Sequence, residues 1–179
     1  GTHDFLIRAM PVIREFDYPV TLYFATQYSY FNRPIYDLAV SYLLWKARGR
    51  ELRFPEVLAR PVALDAVGLP LAASAFRAHA HLNDLTAEQK DTLLDRVAAA
   101  CAVDLAAIRR KRVLHLMTPE EAASVAREGV DIQLHTHRHR VYVARARFDQ
   151  GIDDNRHHLA SITPGRREHF CYPGGVHLA

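Results

Sequence analysis

Val130-Asp131-Ile132-Gln133-Leu134-His135-Thr136-His137-Arg138-His139 joins a short apolar run to three histidines within five residues. Val130, Ile132 and Leu134 alternate along its first half, so 130–134 reads as a strand that delivers His135. Just upstream, Thr118-Pro119-Glu120-Glu121 carries a helix start: the threonine caps, the proline fits the first turn and Glu121 closes a capping box. That helix runs to Glu128 and stops at Gly129. Downstream, a helix is expected over about 144–162, ending near Thr163-Pro164-Gly165, and His169-Phe170-Cys171-Tyr172 reads as a last short strand before Pro173-Gly174-Gly175. Helix, strand, helix, strand is the order of βα units around a mainly parallel sheet.

The N-terminal residues repeat this logic. Asp4 to Phe16 reads as a helix with Asp4 as N-cap and a possible kink at Pro11. After the turn Asp17-Tyr18-Pro19, the stretch Val20-Thr21-Leu22-Tyr23-Phe24-Ala25 is β-branched and aromatic on both faces, as a buried parallel strand is. Between the two strands lies a long helical excursion. Helices are expected over 34–48, stopped by Gly49, from the capping box Thr86-Ala87-Glu88-Gln89 to about Cys101, and over 104–111. The stretch 51–75, with Pro55, Pro61, Gly68 and Pro70, reads as irregular, with a short hairpin pairing 62–66 with 69–73. Residues 31–115 thus read as a helical insertion on a single α/β domain covering 1–179.

Composition bounds the partners. The 179 residues are 49% apolar and 24% charged, enough for a globular core. A net charge of +3 is too small to argue for an acidic partner. The densest basic run, Arg109-Arg110-Lys111-Arg112, ends a helical pattern and fits the negative end of that helix's dipole. It has no interleaved aromatics and no recognition motif, so no nucleic-acid partner is expected. No transmembrane stretch is present. Cys101, set among alanines, reads as a buried small apolar residue, and with Cys171 forms neither a disulfide framework nor a Cys-x-x-Cys knuckle.

The histidines carry the chemistry. Active sites of α/β proteins gather at the carboxyl ends of parallel strands, where 135–139 falls. Neutral imidazole suits zinc and several other divalent ions. If the backbone turns after Leu134, His135 and His139 can point at one ion; if the strand continues, all three alternate histidines share a face. A surface histidine cluster beside Arg138 and Arg140 is the bland alternative. His79/His81 and His157/His158 read as exposed and inert, and His115, flanked by Val113, Leu114, Leu116 and Met117, as a satisfied core histidine.

Leu134-His135-Thr136-His137-Arg138-His139 resembles the His-(Ser/Thr)-x-x-His motif of the polysaccharide deacetylase family, also called the NodB-homology or carbohydrate esterase 4 family. Phe170-Cys171-Tyr172-Pro173-Gly174-Gly175 looks like its third motif, in the form of a capsule- and envelope-related branch, and Pro19-Val20-Thr21-Leu22-Tyr23-Phe24 is similar to its second strand. The resemblance implies an incomplete distorted (β/α) barrel with the helical insertion. It implies a divalent metal, generally zinc, held by two histidines and one aspartate, with a second aspartate as general base, and removal of acetyl groups from an N-acetylated or O-acetylated glycan. Carried onto this chain, His135 and His139 become metal ligands and Thr136 the residue that steadies their loop. Gly174 would offer a backbone N–H to the oxyanion, and Tyr172 and Pro173 would line the substrate site. Tyr28, one of the aromatics that follow the second strand with Tyr30, Phe31 and Tyr36, is a candidate to stack on a sugar ring, against core packing as the more common use of such residues.

The family's Asp-Asp-Gly motif has no counterpart with two aspartates in the chain. Gly1 matches its glycine, which places the aspartates before residue 1, and the chain is expected to be cut at both ends. His177 follows the third motif too soon to be the family's general-acid histidine, and Cys171 stands where many relatives carry an arginine. A deacetylase-like glycan-binding or scaffold protein without chemistry is the alternative. The two readings part on whether carboxylates complete the histidine pair.

Overall fold

The computed structural model describes residues 1–175, so His177 lies outside the described residues. The chain divides into two compact units, one made of 1–33 with 114–179 and the other of 34–113.

The first unit is built on two parallel strands. β1 (Thr21–Phe24) pairs with a strand at Asp131–Leu134 in the register Thr21 to Asp131 through Phe24 to Leu134. Both strands therefore end together, and the segments that follow them emerge at one edge. Ahead of β1, residues 3–16 are helical. Pro11 has no N–H to donate, and the turn before it, Phe5–Ala9, widens to π hydrogen bonding before α1 (Met10–Phe16) resumes. Asp4 does not cap this helix as expected; its backbone is already helical, and its carboxylate lies 3.4 Å from Arg8 one turn on. A short α2 (Gln27–Phe31) follows β1.

The second unit is mostly helical. It contains α3 (Tyr36–Lys46), α4 (Gly68–Leu82), α5 (Ala87–Ala100) and α6 (Leu105–Arg110). The Thr86 capping box closes on Gln89 as its sequence implies. Val40, Leu43, Leu44, Phe76, Leu94 and Val97 are fully buried, and Phe54 meets Phe76 edge-on at 5.0 Å. Cys101 is buried, and that burial pushes its thiol up to about 11, so it packs as an inert residue. Trp45 and Leu38 on α3 stay about half exposed, and Arg48 lies over the Trp45 ring at 4.4 Å.

The hairpin expected at 62–66 and 69–73 is a misreading. The two short strands are β2 (Glu51–Leu52) and β3 (Val62–Ala63), antiparallel, and 69–73 belongs to α4. The physical reason is Asp65, whose carboxylate accepts from the N–H groups of Val67 (2.9 Å) and Gly68 (2.8 Å) and so opens a helix rather than a second strand. Those two bonds also hold the Asp65 carboxyl below its ordinary range.

After α6 the chain rejoins the first unit. Residues 1–3 run beside 115–117: Thr2 bridges Leu116 in antiparallel sense, His3 N–H donates to the His115 carbonyl, and Met117 N–H donates to that of Gly1. His115 is buried, as the sequence implies. Then come α7 (Pro119–Arg127) with its capping box, β4 (Asp131–Leu134) and α8 (Arg145–Ile162). Met10, Leu22, Phe24, Met117, Val125, Ile132, Leu134 and Leu159 form the core of this unit. The strand expected at 169–172 shrinks to a single parallel bridge between Phe170 and Leu134. Leu134 N–H reaches the His169 carbonyl and Cys171 N–H the Leu134 carbonyl, and then Pro173, which has no N–H, ends the ladder. No helix among the described residues is long and apolar enough to cross a membrane.

Gly68 supplies a direct test of this reading of the second unit. A Cβ there would sit 1.8 Å from the Ala63 carbonyl oxygen. Gly68→Ala is expected to destabilise the chain by about 2–4 kcal/mol, within the range of severe packing and backbone clashes, measured as a lower urea midpoint. An unchanged midpoint would contradict the close packing of α4 on β3.

Candidate metal centre at the ends of the parallel strands

The backbone turns immediately after Leu134, which realises the first of the two arrangements open to the histidines. Residues 135–140 form a loop, with Thr136 (φ 59°) and His139 (φ 53°) both in the left-handed region. Those reversals bring the His135 and His139 rings edge-to-face at 4.8 Å and send His137 elsewhere.

His135 is oriented by the third motif. Its Nδ1 lies 2.8 Å from the Cys171 carbonyl oxygen. A carbonyl can only accept, so Nδ1 carries the proton and Nε2 presents a bare lone pair. A histidine that ligates a metal needs that tautomer, with a backbone carbonyl holding its far side. Burial lowers the pKa of His135, and burial first, with the His135 charge second, takes His139 down to about 4. Both imidazoles are therefore neutral at pH 7, as ligation requires.

Thr136 is buried, and its hydroxyl accepts from the Arg140 N–H at 3.1 Å, closing the loop across four residues. His137 N–H donates to the Gly151 carbonyl, and the His137 carbonyl accepts from Gln27 N–H, so the loop is tied to both α8 and α2. The His137 ring sits 2.8 Å from the Thr26 hydroxyl and stacks on His158 at 4.6 Å, 15° from parallel. Burial, then the charge of His158, takes its pKa down to about 4. His158 is thus not the exposed, inert residue that its position suggested; it is half-buried between His137 and Tyr30, whose ring lies 4.8 Å away.

The residue that organises this corner is Asn155, which sequence reasoning passed over. It is fully buried on α8. Its Oδ1 accepts from the His135 N–H at 2.9 Å, and its Nδ2 donates to the Phe24 carbonyl at 3.0 Å and to the Thr26 hydroxyl at 3.1 Å. One amide group therefore clamps the ends of β1 and β4 together and sets the backbone of His135. A signal existed: Phe148, Ile152, Asn155, Leu159 and Ile162 share one helical face, so a polar side chain at 155 had to be buried and bonded.

The remaining expected site residues lie in two places. Tyr172 stacks on Phe148 at 5.9 Å and meets Phe170 edge-on at 4.9 Å, Pro173 is buried, and Gly174 is exposed with φ 67°. The third motif is thus anchored beside His135 through Cys171. Tyr28 is half-buried on α2. Among the described residues, no group of three His, Cys, Asp or Glu side chains could hold a metal ion.

A family model for polysaccharide deacetylases matches residues 71–179, which include the histidine loop, α8 and the third motif. This chain belongs to the polysaccharide deacetylase family. No individual curated protein and no solved structure matched it significantly. The deacetylase match leaves β1 and the residues before it outside its span, so the pairing of β1 with β4 rests on the structure.

Two outcomes follow for this deacetylase domain. Asn155→Ala would strip partners from a buried N–H and a buried carbonyl, and is expected to cost about 1–3 kcal/mol in urea unfolding. Asn155→Asp keeps the acceptor but loses both donors, and is expected to be no better. The second outcome concerns pH. The folded-state values near 4 for His137 and His139 lie below the ordinary 6.5, so the unfolded chain takes up protons first on acidification. Stability should be level above about pH 6.5 and fall as pH drops toward 4, read as a falling thermal midpoint. A midpoint that stayed level across that range would mean that the imidazoles are solvated.

Proposed function

We propose that His135 and His139 form the histidine half of a divalent-metal centre, with zinc as the ion, in a hydrolase that removes acetyl groups from an N-acetylated or O-acetylated glycan or glycan precursor. The observation that carries this reading is the tautomer lock: the Cys171 carbonyl fixes the proton on His135 Nδ1 and leaves its Nε2 bare on a ring that meets the neutral His139 edge-to-face at 4.8 Å. The donor set fits zinc in chemistry, two neutral nitrogens on a loop stiffened by Thr136, and needs a carboxylate to complete it.

An ion held there would supply Lewis acidity toward the acetyl carbonyl. The rest falls to the chain. Asn155 and Cys171 hold His135, and Thr136 holds the loop. The Gly174 N–H is assigned to the developing oxyanion, and Tyr172 with Pro173 to the wall against the acetyl group. Tyr28 is assigned to the sugar side, and the general base and third ligand to the paired aspartates that the family uses. The completed fold in this reading is the family's distorted (β/α) barrel.

A second reading is kept by one observation: no third ligand stands beside the pair among the described residues. In that case the domain would bind glycan without turning it over.

The test is zinc binding by calorimetry, with His135→Ala, His139→Ala and His137→Ala in parallel. The first two are expected to weaken binding at least tenfold, as loss of a direct ligand does, and His137→Ala to leave it within about threefold. Equal losses at all three positions would sink the assignment. Acetate release from an acetylated chitooligosaccharide by the full-length protein, abolished by chelation and restored by zinc, separates the enzyme from the binding module.

A further inference from the structure

The second unit carries a feature that the deacetylase reading does not use. A cavity of about 400 Å³ opens between the end of α3, the end of α5 and α6. That volume is within the range of small-molecule sites. Its floor is apolar and closed by Cys101 and Ile108, both buried. Its rim carries three cations, Lys46, Arg50 and Lys111.

None of these three has a carboxylate within ion-pair distance among the described residues. Elsewhere in the same unit arginines find acids: Arg96 pairs with Glu56, Arg109 with Asp95 and Arg53 with Glu51. The cavity's one acid, Asp104, is occupied, accepting from Ala107 N–H at 2.8 Å and lying 3.8 Å from Arg110. The cations are also positioned. Arg50 donates one N–H to the Cys101 carbonyl at 3.2 Å, which holds its guanidinium at the cavity wall. Lys46 lies 5.5 Å from the centres of both the Tyr42 and Trp45 rings. Three cations around an apolar floor have unfavourable mutual repulsion unless an anion joins them.

We propose that this cavity binds a phosphate monoester of a compact organic body, in the class of a sugar phosphate. A guanidinium and two ammonium groups match a dianion with three acceptor oxygens. Tyr42 and the apolar floor supply contact for the attached ring. The proposal is independent of the metal centre, because every residue in it lies between 42 and 113 and none belongs to the histidine loop.

The experiment titrates the whole chain with glucose 6-phosphate, inorganic phosphate, glucose and a single-stranded oligonucleotide. Binding is read by calorimetry and by the fluorescence of Trp45, the single tryptophan, which neighbours Lys46. Glucose 6-phosphate should bind saturably and more tightly than inorganic phosphate, and glucose should not bind. Lys111→Ala and Arg50→Gln should each weaken glucose 6-phosphate about tenfold, the loss of one hydrogen bond to a charged group. Lys111 is exposed and has no carboxylate within ion-pair distance among the described residues, so its variant is expected to keep the wild-type circular dichroism spectrum and melting temperature. No saturation by about 10 mM ligand, a range where even millimolar affinity shows, would overturn the proposal. So would wild-type affinity in Lys111→Ala, equal affinity for phosphate with and without the sugar, or binding of the oligonucleotide alone.

Discussion

The corner that holds the histidines depends on one buried amide. Asn155 reaches from the middle of α8 to the His135 N–H, the Phe24 carbonyl and the Thr26 hydroxyl. All three groups lie just where β1 and β4 stop pairing, and the Thr26 hydroxyl alone has a second partner, the His137 ring. An amide is the only common side chain that can accept from the first and donate to the other two at once. Its orientation is forced by those partners, since neither an N–H nor a carbonyl can exchange roles. The strand ends are thereby fixed relative to each other before any side chain of the loop is considered.

From that fixed point the loop divides its three histidines by function of position. Left-handed backbone at Thr136 and His139 turns alternate residues to different sides, so His135 and His139 converge while His137 packs into the body of the unit. Such backbone is costly for residues with a Cβ, and it is held here by the Thr136 hydroxyl, the Gly151 carbonyl and the Gln27 N–H. His137 is therefore a structural element of the site: it supplies the bonds that let its neighbours adopt a strained course. The third motif completes the arrangement from another direction, through a single carbonyl at Cys171.

The two units show different uses of the same rules. In the first, buried polar groups such as Asn155, Gln133 and Thr26 set geometry, as Gln133 does by bonding Asp131, Arg166 and His169 across the strand end. In the second, the interior is mainly aliphatic and aromatic, with the Tyr36 hydroxyl bonded to the Phe76 carbonyl inside it. A polar interior specifies a position; an apolar one mainly supplies stability.

Much was legible in the sequence because it depends on local chemistry. Capping boxes at Thr86 and Thr118, the apolar alternation of 130–134 and the stop signals at Gly49 and Gly129 placed helices and strands to within a residue or two. Motif order alone pointed to the family. Where local signals conflicted, the sequence misled: Gly68 and Pro70 looked like turn residues, yet Asp65 opened a helix that contains both. The division of labour among His135, His137 and His139 could not be read locally, because alternation and convergence are equally compatible with their spacing. It was decided by groups 20 to 111 positions away, Asn155, Cys171 and Thr26, whose hydrogen bonds exist only once β1, β4 and α8 are packed together.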